Sequence, residues 1–295
     1  MERFEKEWGT NMNIKEKLES MAKNSMELKI QENEVYQLGA TRFGGQPDVP
    51  SDFIWPTYMG ESYDHVVKER PLSFLAQFNC ADFAKYDTEH LLPDHGLLSF
   101  FYELDSMCWG FDPKDRGCAR VYWFEDISTL SAAEFPADME EDFIMPMVKI
   151  ALSQKPSYPS WQDFTEAFPD DDDDEAFNTA WEELTGEDEE DLPDRSQLLG
   201  WPDVIQNSMF EECDIATKGY YLGNPEGWRK IPKDIRQEAE KTAKDRWMLL
   251  LQLDTVECDD FELMFGDCGH IYFYITKEDL KARRFDNIWL ILQCC

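Results

Sequence analysis

The sequence predicts an α+β fold with an internally duplicated, mainly antiparallel β core, two pseudo-twofold halves, a few peripheral helices and an acidic helical insert. Three observations predict it: a repeated nine-residue stretch, a matching series of apolar strand patterns after each copy, and a strongly acidic segment between the copies. The 295 residues then divide into four parts within one compact domain. These parts are an N-terminal helix (1–25), a first β-rich half (26–130), the acidic helical insert (131–195) and a second β-rich half (196–295).

Helices are predicted outside the strands by their caps and apolar spacing. Asn13 and Glu16 stand at the spacing of a capping box at the start of the first helix. In the second half, Pro232 stands in the first turn of a helix whose basic residues lie towards its C-terminal end. Between the halves, SWQDFTEAF and DDDDDEAFNTAWEEL have the apolar spacing of two short amphipathic helices.

The repeated stretch is TRFGGQPDV (41–49) in the first half and SQLLGWPDV (196–204) in the second. Its glycines suggest a ligand-binding loop, but the second copy has Leu199 and Trp201 where the first has glycine and glutamine. One glycine and a Pro-Asp-Val exit recur, and these residues shape the backbone. We therefore interpret the stretch as the opening turn of a duplicated unit.

Three predicted strands follow each copy in the same order. The first strand is apolar and carries one glutamine, Gln77 or Gln252. An Asp-x-Gly turn leads into the second strand, because these residues tolerate the positive φ of a tight turn, and a third strand closes the set. Their aromatic and branched residues fit a pleated surface. The segments are 74–83, 93–103 and 119–125 in the first half and 249–257, 266–276 and 287–293 in the second.

The two strand glutamines, Gln77 and Gln252, are the polar residues of greatest interest in the predicted core. A buried amide needs hydrogen-bond partners, so one interpretation is structural: each glutamine satisfies backbone groups of neighbouring loops. The alternative is functional. Both amides would line a cleft between the halves, together with Trp201 and Gln206, and bind a small ligand there.

Acidic residues dominate the composition, since 62 Asp and Glu against 28 Lys and Arg give a formal net charge of −34. Between Glu134 and Asp194 there are 21 acidic residues and two basic ones. Such a field repels nucleic acids and anionic membranes and attracts basic proteins, although solubility alone also explains a high charge. The predicted partner-binding residues are Asp170, Asp171, Asp172, Asp173, Asp174, Glu175, Glu187, Asp188, Glu189 and Glu190.

Neither a metal site nor a cofactor is predicted. From Asp171 onward, acidic residues recur at the spacing of a calcium loop, but Ala176 occupies the position that requires glycine. We therefore interpret this segment as a capped, solvated helix. The eight cysteines and four histidines do not cluster at ligand spacing. No motif of nucleophilic or metal-dependent catalysis occurs, so the sequence favours a protein that is not an enzyme.

Six motifs of the sequence belong together: GGQPDVPSDFIWP (44–56), PLSFLAQFN (71–79), GLLSFFYE (96–103), LLGWPDVIQ (198–206), LLLQLD (249–254) and GDCGHIYFYI (266–275). In combination they resemble the YwqG-like family, a group of bacterial domains of unknown function. The resemblance runs from about residue 27 to the C-terminus and implies one α+β fold with a duplicated β core. It implies no catalytic residue. Because family members are similar to proteins encoded beside secreted toxins, it implies immunity to a toxin or accessory binding as one role.

Two functional hypotheses remain open. The first is a protein-binding module that is not an enzyme and whose acidic surface binds a basic partner. The second is a small-ligand-binding protein or an enzyme with a cleft between the halves. For either one we expect a cytoplasmic protein, because the chain has no apolar run of membrane-spanning length and its N-terminus has no apolar signal core.

Overall fold

Residues 12–31, 36–61, 65–187, 195–259 and 261–294 are described by a computed structural model. Within these ranges the chain forms one large antiparallel sheet, three small two-stranded sheets and eight α-helices. The helices are α1 (Ile14–Met21), α2 (Cys80–Phe83), α3 (Trp161–Ala167), α4 (Asp174–Thr185), α5 (Phe210–Thr217), α6 (Pro225–Lys230), α7 (Lys233–Arg246) and α8 (Lys277–Lys281).

The described residues also form sixteen strands. They are β1 (Lys23–Ile30), β2 (Arg42–Phe43), β3 (Asp48–Pro50), β4 (Thr57–Glu61), β5 (Val67–Pro71), β6 (Ser73–Asn79), β7 (Leu97–Tyr102), β8 (Ala119–Phe124), β9 (Leu130–Ala132), β10 (Val148–Ser157), β11 (Ser196–Leu198), β12 (Trp247–Leu253), β13 (Val256–Cys258), β14 (Phe261–Leu263), β15 (His270–Thr276) and β16 (Trp289–Gln293). Ten of them form the large sheet in the order β16–β15–β12–β11–β1–β10–β2–β6–β7–β8. The small sheets are β3–β9, β4–β5 and β13–β14.

The strands β1 and β10 occupy the middle of the large sheet, and its two sides have the same order around them. On each side a short strand, β2 or β11, is followed by a three-stranded meander. The pairing shifts register at one place in the first strand of each meander, between Phe74 and Ala76 in β6 and between Leu249 and Leu251 in β12. The predicted α+β class with a mainly antiparallel sheet is thus confirmed.

The large sheet curves so far that its two sides share one apolar core, and it comes close to a barrel. The Phe100 ring of β7 meets the Phe273 ring of β15 edge-on, with centroids 5.2 Å apart. The backbone N–H of Leu292 in β16 donates to the carbonyl oxygen of Trp109, in the loop after β7, at 3.1 Å. Residues from both sides therefore lose their water-accessible surface together.

The outer faces of the two sides are covered by different elements. Phe53 and Trp55 cover the first side and pack on Phe101 at centroid distances of 5.9 and 5.7 Å. Helices α5 and α7 cover the second side, where Phe210 meets Tyr274 edge-on at 5.5 Å. A separate apolar cluster joins α1, α3 and α4 beside the sheet. These different covers give the two sides different surfaces.

The first helix begins where its capping pattern predicts. Asn13 Oδ1 accepts the backbone N–H of Glu16 at 2.9 Å, and Glu16 Oε2 accepts the backbone N–H of Asn13 at 2.8 Å. Both donors would otherwise lack partners at the helix end. Helix α7 likewise begins directly after Pro232.

The segment predicted as an acidic helical insert (131–195) differs from that prediction in its first part. Among its described residues, α-helices occur only at α3 and α4, whereas Val148–Ser157 forms β10 in the centre of the large sheet. Every residue of β1 pairs with β10, from Lys23 opposite Ser157 to Ile30 opposite Ile150. Pairing over this separation is invisible in local sequence, and the lysines and the proline of β10 weaken its strand pattern.

Three further properties concern the described ranges only. None of their helices combines the length and the apolar character that crossing a bilayer requires. No group of three or more His, Cys, Asp or Glu side chains in these ranges is arranged to hold a metal ion. Among their cysteines, Cys80, Cys108, Cys118, Cys213 and Cys258 are free thiols.

Candidate functional site

A buried cluster of Arg42, Asp48 and Gln77 holds the first repeated stretch against β6. Asp48 Oδ2 accepts hydrogen bonds from Arg42 Nη1 at 3.0 Å, Gln77 Nε2 at 2.7 Å and the backbone N–H of Gly39 at 2.8 Å. Gln77 also accepts the backbone N–H of Asp48 through Oε1 at 3.1 Å and donates to the carbonyl oxygen of Ala40 at 3.0 Å. Burial raises the pKa of Asp48, but the hydrogen bonds and the charge of Arg42 lower it further, so the net shift is downward.

A second cluster, formed by Arg195, Asp203 and Gln252, has the same pattern on the other side of the sheet. Gln252 Oε1 accepts the backbone N–H of Asp203 at 2.9 Å, and its Nε2 donates to Asp203 Oδ2 at 2.7 Å and to the Arg195 carbonyl oxygen at 2.8 Å. Arg195 Nε donates to Asp203 Oδ2 at 2.9 Å. Both N–H groups of each glutamine amide are therefore used within its own cluster.

The two opening turns also share an unusual backbone. Gly44 and Gly45 have φ of 61° and 70°, and Leu199 and Gly200 have φ of 60° and 89°. At Gly44 a Cβ would lie 2.0 Å from the carbonyl oxygen of Pro146, so only glycine fits there. These conformations support the interpretation of the repeated stretch as a shaped turn.

The other two residues predicted to line a cleft, Trp201 and Gln206, also form hydrogen bonds within the protein. Trp201 is buried, and its indole N–H donates to the carbonyl oxygen of Met21 at 2.7 Å. The ammonium of Lys23 lies 3.3 Å from the centroid of the Trp201 ring, a cation–π contact. Gln206 Nε2 donates to the carbonyl oxygen of Cys294 at 2.7 Å. The contacts of these four predicted residues are thus internal ones.

The predicted acidic residues are divided between internal contacts and an exposed surface. Asp173 caps α4 by accepting the backbone N–H of Ala176 at 3.0 Å, while Asp171 pairs with Lys17 at 2.5 Å. Glu187 pairs with Lys155 at 2.5 Å. We call the exposed residues around the start of α4 the acidic face. Its members are Asp170, Asp172, Asp173, Asp174 and Glu175. Asp188, Glu189 and Glu190 lie outside the described residues.

A groove of about 630 Å³ runs beside the acidic face, between α1 and α4. Four carboxylates line it, with one amine, that of Lys15, which pairs with Glu183 at 2.8 Å. The excess of negative charge makes the groove suitable for a basic segment. The four carboxylates belong to Asp171, Asp173, Glu175 and Glu183.

A second cavity, which the sequence did not predict, is lined by residues from both sides of the sheet. Its charge is opposite to that of the groove between α1 and α4. We call this cavity the basic pocket. Its volume is about 610 Å³. Only one carboxylate, that of Glu89, is among its described lining residues. The basic residues lining it are Lys23, His90, Lys277, Lys281 and Arg283. The one sequence signal is the run KEDLKARR (277–284), in a strongly acidic chain.

A comparison with protein families gives a match over most of the chain. The model of a domain of unknown function, DUF1963, covers residues 41–294. The chain belongs to this family. The match is consistent with the YwqG-like resemblance. It includes both Arg-Asp-Gln clusters and the acidic face. It also includes the residues that line the basic pocket, except Lys23 and Asn24, which precede the matched region. No curated protein matches the chain. The family description assigns no activity, so a function must be argued from the surfaces themselves.

Proposed function

We propose that this DUF1963 protein is a cytoplasmic protein-binding module, not an enzyme, whose acidic face binds a basic partner protein. The observation that carries the proposal is the run of exposed carboxylates around the start of α4. No lysine or arginine occurs between Lys155 and Arg195, so the sequence offers no basic neighbour within this segment. A surface of this kind accelerates the encounter with a basic protein and gives a strong salt dependence.

The groove between α1 and α4 supports a more specific form of this proposal. A basic loop or helix of the partner would lie in the groove, where its side chains replace water around Asp171, Asp173 and Glu175. A secreted toxin that the protein neutralises is one partner of this chemistry, in agreement with the family resemblance.

We further propose that the two sides of the sheet arose by internal duplication. Three correspondences support this: the order of the strands, the register shift in the first meander strand, and the glutamine-to-aspartate hydrogen bonds. In each cluster the glutamine also reaches the carbonyl oxygen eight residues before the aspartate, at Ala40 or Arg195.

The binding proposal is tested by affinity capture from the native organism at low ionic strength, with the wild-type protein and two charge-matched variants. The face variant should lose the captured basic partner, whereas the control variant, with four exposed carboxylates changed elsewhere, should retain it. With the purified partner, the association rate should fall at least about tenfold as salt screens the attraction between about 0.05 and 0.5 M. Equal capture by the two variants would contradict the proposal. The variants are D170N/D172N/D174N/E175Q for the face and D52N/D234N/E257Q/D286N for the control.

A further inference from the structure

The basic pocket is positively charged, in contrast to the rest of this acidic protein. Four lysine and arginine side chains line it with one carboxylate, in a chain whose carboxylates outnumber its bases by 34. We infer that this pocket is a binding site for a small organic anion that carries at least two negative charges and an apolar group. This inference is independent of the acidic face, which lies on other elements.

The pocket has the size and the position of a ligand site. Its volume of about 610 Å³ is within the range of sites for small molecules. One wall comes from β1 and the loop before β7, with Lys23 and His90, and the other from α8 and the residues after it. Ligands often bind where two parts of a fold meet, because groups from both can converge there.

Two lysines of the pocket are available for a ligand. Lys277 and Lys281 are exposed at the pocket rim, and neither forms an ion pair with any residue that the structure describes. They stand four residues apart on α8, so their side chains lie on the same face of the helix. A doubly charged group can therefore balance the charge of both ammonium groups, whereas a singly charged one balances only one.

Lys23 adds a partly buried positive charge to the pocket. Its ammonium packs on the Trp201 ring and forms no ion pair with a described carboxylate. Burial and then the neighbouring charge of Lys277 lower the pKa of Lys23 to about 8, although Asp163 and Glu89 act in the opposite direction. A bound anion would relieve this repulsion, so binding gains from a charge distribution that is unfavourable in the empty pocket.

Arg283 fixes the shape of the pocket. Its Nη1 donates to the carbonyl oxygen of Leu91 at 2.5 Å, and its Nη2 donates to that of Leu92 at 3.1 Å. These bonds tie the residues after α8 to the loop on the opposite wall. The walls are therefore held in place before a ligand arrives, which reduces the entropy lost on binding.

Apolar side chains of the pocket indicate that the ligand also has an apolar group. Leu91, Leu199, Met248 and Leu280 also line the pocket. An aromatic or aliphatic group placed against them would be removed from water, and this burial favours binding. Inorganic phosphate has no apolar group and gains nothing from these side chains. The negative field of the whole protein opposes an anion only weakly at this site, because salt screens charges that lie beyond about 8 Å at physiological ionic strength.

The test is isothermal titration of the full-length protein with phenyl phosphate, phthalate, inorganic phosphate and phenol. Phenyl phosphate, phthalate or both should bind saturably, and the preferred one identifies the anionic group as phosphate or paired carboxylates. Inorganic phosphate and phenol should each bind at least about tenfold more weakly, because each lacks one half of the required chemistry.

Two variants with the same change of net charge separate the pocket from a general electrostatic effect. K277Q/K281Q should weaken binding of the preferred anion at least about tenfold. R229Q/K230Q, which changes two exposed bases on α6, should leave it unchanged. Because all of these residues are exposed or at the rim, both variants should unfold at the wild-type temperature. Absence of saturable binding up to about 10 mM of either aromatic anion, or an equal loss in both variants, would overturn the inference. Partner capture by the acidic face should be unaffected by K277Q/K281Q, so the two proposals can fail separately.

Discussion

Replacing Asp48 with asparagine should destabilise the protein strongly, because the carboxylate is the buried counter-charge of Arg42. Both side chains are completely buried, and Asp48 Oδ2 accepts three hydrogen bonds. Asparagine leaves the guanidinium charge uncompensated. Removing one partner of a buried ion pair lowers the free energy of unfolding by about 3–5 kcal/mol. For a chain of this size that corresponds to a fall in melting temperature of roughly 5–8 °C.

Urea unfolding followed by tryptophan fluorescence at pH 7 measures this change in the free energy of unfolding. D52N is the matched control: the same substitution at an exposed residue just after β3, expected to change stability by less than about 0.5 kcal/mol. D203N should cost as much as D48N, because Asp203 occupies the same place opposite Arg195 and Gln252.

The pH dependence gives a second measurement on the same residue. The folded pKa of Asp48 is lowered, so its stabilisation is complete above its ordinary pKa of about 3.9 and disappears as the pH falls through the lower folded value. The difference between wild type and D48N should therefore be constant from pH 7 down to about pH 5. A loss below about 1 kcal/mol at pH 7 would refute the account of the cluster as a buried ion pair that stabilises the fold.

Two further variants test other contacts of the fold. Gly110 has φ of +80°, and a Cβ there would lie 1.8 Å from the Leu290 carbonyl oxygen, so G110A should cost at least about 3 kcal/mol in urea unfolding. G186A, at φ of +76° where a Cβ meets no atom of the described ranges within 4 Å, should cost only about 1 kcal/mol, and equal losses would argue against a steric cause. Burial and then the charge of Glu211 raise the pKa of Glu212 to about 8, and its buried Oε2 has no hydrogen-bond partner in the described ranges. The wild type should therefore lose stability as the pH rises from about 4.5 to 8, and E212Q should be more stable by about 1–4 kcal/mol at pH 8 but by less than about 1 kcal/mol at pH 5. A gain that does not change with pH would contradict this.

Much of the fold could be predicted because its signals are local. The capping box of Asn13 and Glu16, the proline before α7 and the apolar strands around Gln77 and Gln252 depend on neighbours a few residues apart. The positive φ of Gly44, Gly45 and Gly200 in the opening turns also follows from residue type, whereas that of Leu199 does not.

The sequence predicted the candidate sites only as far as their signals are local. A run of acidic residues is visible in the sequence, but only the tertiary structure shows which of its members are used internally, such as Asp171 by Lys17 and Glu187 by Lys155. The roles of Gln77 and Gln252 could be narrowed to two alternatives. The hydrogen bonds to Asp48 and Asp203 then show that their amide N–H groups are already occupied.

The sequence by itself determined the α+β class, the matching strand series, the opening turns and the strong local acidity, because each depends on residue types at short spacing. Only the tertiary structure decided that β10 lies in the centre of the sheet and that bases from distant positions meet in one pocket. Lys23, His90 and Lys277 are separated by up to 254 positions in the chain, and they converge only because the sheet curves until its two sides share a core. That curvature is a property of non-local pairing and packing, which no local pattern encodes.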